Sequence, residues 1–211
     1  MKSRTLRNLL LVGCTSLAGL LIQCGYLNQF QKSVVNLQRC KFKLQNVADV
    51  KLAGISIANK HSVSDFGLLD GAKLAGAYAS KKLIIDMTLN VAATNPNDGT
   101  GGTSQASATL VGFPWKLLID NKETISGDIG GNPEIPGKGQ TTIIPLVTSL
   151  DLYQFFADKG YDNVVNLALS IGGASGSAAR LTLRGTPRIS TPLGNISYPQ
   201  PIDVVDKEFR N

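Results

Sequence analysis

The stretch from Lys82 to Asn97 constrains the fold of this chain more than any other part of its sequence. Apolar residues occupy every second position from Leu83 to Ala93, and mostly polar residues occupy the positions between them. A period of two over twelve residues is typical of a long β-strand that is buried on one face. The apolar face is predicted to hold Leu83, Ile85, Met87, Leu89, Val91 and Ala93.

The strand is expected to end at Asn95-Pro96-Asn97. Proline cannot donate a hydrogen bond to a neighbouring strand, so it interrupts the pairing. Asparagine side chains readily bond to the backbone two residues further along the chain. Asn95, Pro96 and Asn97 are therefore interpreted as a structural motif that shapes the strand exit, without a catalytic role.

Further alternating runs predict about seven or eight strands in neighbouring pairs. Such a pattern favours an antiparallel β-sandwich or barrel-like domain. One pair is expected from 40–47 and 50–58, and a hairpin is expected to turn at Asp120–Glu123. The region 189–205, rich in proline, is predicted to be an irregular closing segment. The remaining strands are expected at 106–119, 124–129, 140–147, 163–171 and 178–185.

Two segments have helical rather than alternating patterns. In the first, at about 62–81, Ser62 with Asp65, or Ser64 alone, can cap the helix start. Phe66 and small residues form a stripe on this helix, and the stripe is expected to face the sheet. The helix would then either cap the sheet or act as a lid over an apolar groove. The stripe continues through Leu69, Ala72, Ala75 or Gly76, and Ala79. A shorter second helix is predicted within 149–159.

The N-terminus resembles an export signal. Lys2, Arg4 and Arg7 precede an uncharged apolar run from Leu9 to Ile22, which is too short for a membrane-spanning helix and fits the core of a signal peptide. The run ends at Leu21-Ile22-Gln23-Cys24, which resembles the lipobox of bacterial lipoproteins. Cys24 is the predicted lipidation site, although Gln23 departs from the small residue usual before that cysteine.

Cys14 is the alternative lipidation site, but too few apolar residues precede it; soluble secretion or a retained anchor also remain open. With Cys24 lipidated, Cys40 would stand alone as a small buried hydrophobe. A Cys24–Cys40 disulfide is conceivable if Cys24 is not lipidated.

Charge and motif content exclude several functions. Removal of residues 1–23 would leave 18 basic and 15 acidic residues, too small an excess to favour nucleic acid. The single histidine, His61, lies in a predicted loop, and no spacing typical of a metal site or a catalytic triad is found. We therefore expect no catalytic residues, no metal and no cofactor.

The chain resembles the second family of late-embryogenesis-abundant proteins, the water-stress and hypersensitive-response domain. The resemblance covers about Cys40 to Val205 and implies a fibronectin- or immunoglobulin-like β-sandwich; plant members are soluble and linked to desiccation. Departures from the family are the lipoprotein-like start and the insert at 62–81. The residues that carry the resemblance are Thr94-Asn95-Pro96-Asn97, the hairpin Trp115–Thr124, Ile135-Pro136, Thr141–Val147 and Arg180–Gly185.

These observations predict a signal peptide at 1–23, a tether at 24–38, a β-sandwich domain at 39–205 and a tail at 206–211. The expected function is that of a non-enzymatic envelope module, anchored by lipid to the outer membrane and facing the periplasm. Its expected role is binding or protection against stress, and its expected partner is an envelope protein or a lipid. The alternative is a lipid-binding or lipid-transfer protein that uses an apolar groove under the 62–81 helix, which requires a cavity of several hundred Å³.

Overall fold

A computed structural model describes residues 39–100, 107–172, 180–191 and 194–205. The predicted signal peptide, Cys14, Cys24, the tether to residue 38 and the tail at 206–211 lie outside the described residues. The described strands are β1 (Lys41–Leu52), β2 (Ile55–Ser56), β3 (Ile84–Thr94), β4 (Ala108–Gly112), β5 (Trp115–Ile119), β6 (Lys122–Gly127), β7 (Glu134–Ile135), β8 (Thr141–Asp151), β9 (Leu181–Gly185), β10 (Arg188–Thr191), β11 (Gly194–Ser197) and β12 (Ile202–Val205). The α-helices are α1 (Leu68–Ala79), α2 (Leu152–Phe156) and α3 (Tyr161–Ile171).

The predicted organising strand is the centre of the first layer. This layer is a four-stranded sheet with the order β2-β1-β3-β8, and we call it the long sheet. Within it, β3 pairs with β8 in unbroken antiparallel register from Ile84↔Asp151 to Thr94↔Thr141. The six apolar residues of the predicted face are at most 2% exposed, whereas the alternate residues are half-buried. Pro145 lies within β8, an outer strand of the long sheet, where a missing backbone donor is tolerated.

The second layer is bent where prolines interrupt two paired strands. The hairpin sheet has the order β12-β9-β5-β6, and the closing sheet has the order β11-β10-β4-β7. β4 continues into β5 through Phe113-Pro114, and β9 continues into β10 through Thr186-Pro187. The two bends are joined, because the backbone N–H of Thr186 donates to the carbonyl of Pro114 at 3.0 Å.

A carboxylate stabilises the bend. Asp128 Oδ1 accepts hydrogen bonds from the backbone N–H groups of Phe113 and Ile129, and its Oδ2 accepts one from Arg188 Nη2 at 3.0 Å. Phe113 is fully buried and its ring stacks on Phe42 of β1, with 5.6 Å between the ring centroids. The bend therefore brings the second layer onto the core of the first.

The predicted fold class is confirmed: the chain is mainly β, with antiparallel pairing throughout the described strands, and forms a β-sandwich with an inserted helix and a short second helix. The described strands are more numerous than predicted, and most of them have six residues or fewer, whereas β1 and β8 are longer than predicted. The expected pair 40–47 and 50–58 is instead one long strand, β1, followed by a tight turn at Ala53-Gly54 and the two-residue β2. Both turn residues have positive φ, which suits a two-residue hairpin loop. The segment 189–205, predicted to be irregular, supplies three short strands.

The prediction of a strand at 163–171 was wrong, because this segment belongs to the helix α3. Its residues from Val164 to Ile171 are all buried except Asn166. A helix buried over most of its circumference has apolar residues at nearly every position, so its sequence also contains an apparent period of two. The predicted short helix at 149–159 is confirmed as α2 followed by a 3-10 turn at 157–159; Asp151 caps α2 by accepting a hydrogen bond from Tyr153 N.

The inserted helix was predicted, but its orientation was not. Ser62 and Asp65 cap a 3-10 turn at Val63–Asp65, and α1 begins only at Leu68. Leu74 is the buried residue of α1, and Tyr78 packs edge-on against Tyr153 and Tyr161. The small-residue stripe, expected to face the sheet, faces outward, because Leu74 and Tyr78 bury more apolar area than alanine or glycine can. Within the described part of the chain, no helix has the length and apolar character needed to cross a membrane.

Candidate functional site

The outer face of the hairpin sheet carries a row of charged and polar side chains. Trp115, Leu117 and Ile119 of β5 point into the core, so Lys116 between them faces outward. In register, Lys116 lies opposite Ser126 of β6 and opposite Arg184 of β9, and Arg184 lies opposite Asp203 of β12. Antiparallel pairing places these partners side by side on one face.

An open groove of about 580 Å³ lies at the end of this row next to the bend. This volume is within the range of ordinary ligand sites. Pro114, Trp115 and Pro201 provide its apolar surface, and Lys116, Glu123 and Arg184 provide its charges. Two of these three charged residues are basic, and Asp203, the ion-pair partner of Arg184, does not itself line the groove.

Two ion pairs fix the charges at the groove. Lys116 Nζ lies 2.9 Å from Glu123 Oε2, and Arg184 binds Asp203 through two hydrogen bonds of 2.7 and 3.2 Å. The hydrogen bond from Arg184 lowers the pKa of the Asp203 carboxyl, and the same contact raises the pKa of Arg184. Because both groups are held in their charged forms, this pair suits charge recognition better than proton transfer, which needs a pKa near the working pH.

Trp115 forms the boundary between the groove and the core. The residue is 5% exposed, and a Cβ added at Gly127 would lie 2.6 Å from Cζ2 of its ring, so glycine leaves the space that the indole fills. The buried indole Nε1 has no hydrogen-bond acceptor among the described residues. Trp115 is also the single tryptophan of the chain, so its fluorescence reports on this groove alone.

The asparagine-proline-asparagine motif lies in a different place and is buried. Asn95 and Asn97 are 1% and 0% exposed. The side-chain oxygen of Asn95 accepts hydrogen bonds from the backbone and side-chain nitrogens of Asn97, at 3.2 and 2.6 Å, and Asn95 Nδ2 donates to the carbonyl of Ile135. The backbone carbonyls of both asparagines accept bonds from Gly139 and Lys138. These contacts hold the 135–139 loop against the strand exit. The structural role of the motif stays a prediction.

The remaining candidate residues lie apart from the groove lining. Cys40 is 4% exposed in the core, and burial raises the pKa of its thiol to about 11, as expected for an inert small hydrophobe. His61 is exposed, and its backbone N–H donates to Asp65. Among the described residues no cluster of histidine, cysteine, aspartate or glutamate could hold a metal ion.

A second pocket, of about 330 Å³, is lined by residues of α3 and the preceding turn, including Lys159, Asn163 and Asn166. Neither this pocket nor the groove is lined by a residue of α1. On the inner side of α1, Leu74 is fully buried, and the Tyr78 hydroxyl donates to the carbonyl of Ala157. The lipid-carrier alternative therefore gains no support from these two pockets.

The sequence did not predict the groove. Its residues come from β5, β6 and β9, from the two proline bends and from the turn at Pro201 before β12, so their meeting depends on the register of the four strands of the hairpin sheet. The one local signal was Lys116 between the buried Trp115 and Leu117, which marks an outward position next to a proline bend.

Comparison with family models and with curated proteins finds no match. Three solved structures are similar in chain path. A late embryogenesis abundant (LEA) protein solved in solution has 15% identity and a TM-score of 0.35, over 95% of this chain and 89% of its own. A protein from Archaeoglobus fulgidus has 9% identity and a TM-score of 0.30, over 58% and 86%. The structural-genomics target SoR45 has 9% identity and a TM-score of 0.39, over 80% and 88%.

The first of these structures carries the name of the family that the sequence resembles. At these identities and TM-scores, no family membership or activity follows from the likeness. The fold assignment rests on the strand pairing of the chain itself, and membership of the family stays a prediction.

Proposed function

We propose that this chain is a non-enzymatic module of the cell envelope, anchored by lipid at Cys24, that binds an extended acidic segment of a partner protein in the groove beside Trp115. The observation that carries the binding role is the groove itself: an apolar surface bordered by fixed charges, at the open side of a sheet. The anchor rests on the sequence pattern that precedes Cys24. The periplasmic face of the outer membrane is the proposed location.

The edge of the hairpin sheet favours an extended protein segment as the ligand. β6 is the last strand in the order β12-β9-β5-β6, and Ser126 and Gly127 at its end line the groove. An outer strand can pair with an added peptide strand through its backbone, while adjacent side-chain pockets supply specificity. Lys116 and Arg184, which together outnumber Glu123, favour acidic side chains in such a segment.

The groove can be tested with a defined set of synthetic peptides that share an apolar centre and differ in charge. We expect acidic peptides to shift the emission of Trp115, because they would bind against the indole. Basic peptides of the same length should leave the emission unchanged.

A charge swap provides the matched variant. Arg184→Asp combined with Asp203→Arg keeps the ion pair but moves the positive charge from a groove-lining residue to one that does not line the groove. Because exposed ion pairs contribute only about 0–1 kcal/mol to stability, the fold should persist. We expect peptide binding to weaken about tenfold or more. Lys51→Glu, an exposed change on β1, should have no effect. Equal binding by the swapped variant, or no emission change with any peptide, would refute the groove as the binding site.

A further inference from the structure

Positive and negative charges are separated along the long sheet. Its four strands carry three basic and three acidic residues. In the half next to Asn95-Pro96-Asn97, which we call the motif end, the charged residues are Lys41 and Lys43, both basic. The acidic residues lie with Lys51 in the other half, which leads to α1, at positions Asp49, Asp86 and Asp151. The sheet is therefore neutral as a whole, but positive at the motif end and negative at the α1 end.

Lys41 and Lys43 are exposed on the outer face of β1. The residue between them, Phe42, points into the core and stacks on Phe113, so both lysines face the opposite way. Neither lysine forms an ion pair with another described residue. The segments next to these strand ends add equal numbers of the two signs and leave the positive excess unchanged. They contribute Arg39, Lys138, Asp98 and Glu134.

An apolar side chain is exposed beside the two lysines on the same face of the sheet. In register, Lys43 lies opposite Ala92 of β3, and Ala92 lies opposite Ile143 of β8. Ile143 is 43% exposed. Basic residues next to an exposed apolar side chain suit a surface that binds anionic lipid, because such binding combines electrostatic attraction with the burial of apolar area.

We propose that the sheet-end patch, formed by Lys41, Lys43 and Ile143, rests on an anionic lipid surface and turns the motif end of the sandwich towards the membrane. This inference rests on the lipid anchor proposed at Cys24. Each basic residue near an anionic membrane strengthens binding about fivefold. Two lysines would not hold a free protein on a membrane, but they suffice to orient one that is already anchored.

The position of the patch along the chain suits this role. Lys41 follows Cys24 by 17 residues, so an anchored chain could not hold the patch more than about 60 Å from the bilayer. Tethering over this distance gives the patch a high effective concentration of lipid, which disfavours an acidic protein as the competing occupant. The reverse orientation would bring Asp86 and Asp151 towards the anionic surface, where like charges repel.

Quenching of a dye on the full-length chain in vesicles tests the orientation. The dye is attached at Gln140→Cys, exposed at the start of β8 next to the patch, or at Ser56→Cys, exposed on β2 at the α1 end. The vesicles carry nitroxide-labelled head groups in phosphatidylglycerol or in phosphatidylcholine. With phosphatidylglycerol we expect stronger quenching at residue 140 than at residue 56. Phosphatidylcholine, or about 0.5 M salt, should remove the difference. The chain without an introduced cysteine gives the background.

Charge reversal identifies the residues that set the orientation. Lys41→Glu combined with Lys43→Glu should abolish the difference in quenching between the two positions. Lys81→Glu combined with Lys82→Glu makes the same change in net charge at the α1 end and should leave the difference in place. All four lysines are exposed, so circular dichroism should show an unchanged fold in both variants.

Equal quenching at the two positions in phosphatidylglycerol would overturn the proposal and leave an acidic protein as the occupant of the patch. A difference that survives Lys41→Glu with Lys43→Glu would equally overturn it, as would one lost in Lys81→Glu with Lys82→Glu. The anchor is read separately, because an anchored chain stays on phosphatidylcholine vesicles in about 0.5 M salt. Release there would refute the anchor and this inference together, whereas retention with equal quenching would refute this inference alone.

Discussion

At the scale of single residues, side-chain hydrogen bonds to the backbone fix the places where the chain changes direction. Asp128 bonds two backbone N–H groups and Arg188 at the bend of the second layer, and Asn95 bonds Asn97 at the exit of β3. The sequence could predict the second of these, because the asparagines are two residues apart and bond locally. It could not predict the first, because Asp128 and Arg188 are 60 residues apart and meet only when β4 and β10 pair.

Asn97→Ala tests the structural role of the motif. The residue is fully buried, and the change removes its side-chain hydrogen bond to Asn95, leaving part of that amide unsatisfied. We expect the free energy of unfolding to fall by about 1–3 kcal/mol in urea melts. Asn195→Ala, at an exposed position of β11, should change it by less than about 0.5 kcal/mol. An unchanged melt combined with lost peptide binding would make the motif a binding site and contradict this account.

At the scale of elements, an alternating pattern predicts a strand reliably only when one face is polar. β3 satisfies this condition along most of its length, so its bounds, its buried face and its central place were all predictable. In α3 the residues on most sides are buried, and the same counting rule gave a strand where the chain forms a helix. For α1 the helix was predicted, but side-chain size, rather than the number of apolar residues, decides which face turns inward.

Leu89→Ala measures how much the buried face of β3 contributes. Leu89 is fully buried between β1 and β8, opposite Val47 and Leu146. We expect the free energy of unfolding to fall by about 2–5 kcal/mol, since the change removes buried methyl groups and leaves a cavity. Val147→Ala on the exposed face of β8 is the control and should cost little. A loss below about 0.5 kcal/mol for Leu89→Ala would place this side chain outside the core.

At the scale of the whole molecule, the sandwich was predictable and the surfaces were not. The fold class follows from local alternation and turns, which are properties of neighbouring residues. The groove depends on the register of four strands, and the exposed face of α1 depends on how the helix packs beside Tyr153 and Tyr161. Neither is encoded in any one stretch of the chain, so both surfaces could be found only from the structure.

The chain enters the sandwich at the end of the long sheet that is opposite to α1. Cys40 precedes β1 at the end of the long sheet where Lys41 pairs with Thr94, and α1 leads into β3 at the opposite end, where Leu52 pairs with Ile85. At about 3.3 Å per residue, these ends are roughly 30 Å apart. Along the chain, the motif end of the sandwich is therefore the end that leads to Cys24, and α1 lies at the other end.

Fatty-acid labelling of cells that produce the wild type, Cys24→Ser or Cys14→Ser tests the central claim most directly. The account predicts that an alkyne fatty acid labels the wild type and Cys14→Ser in the outer-membrane fraction, and that Cys24→Ser takes up no label and is not processed. Label that persists in Cys24→Ser and is lost in Cys14→Ser would move the anchor to Cys14. Absence of label from the wild type would contradict lipid anchoring altogether.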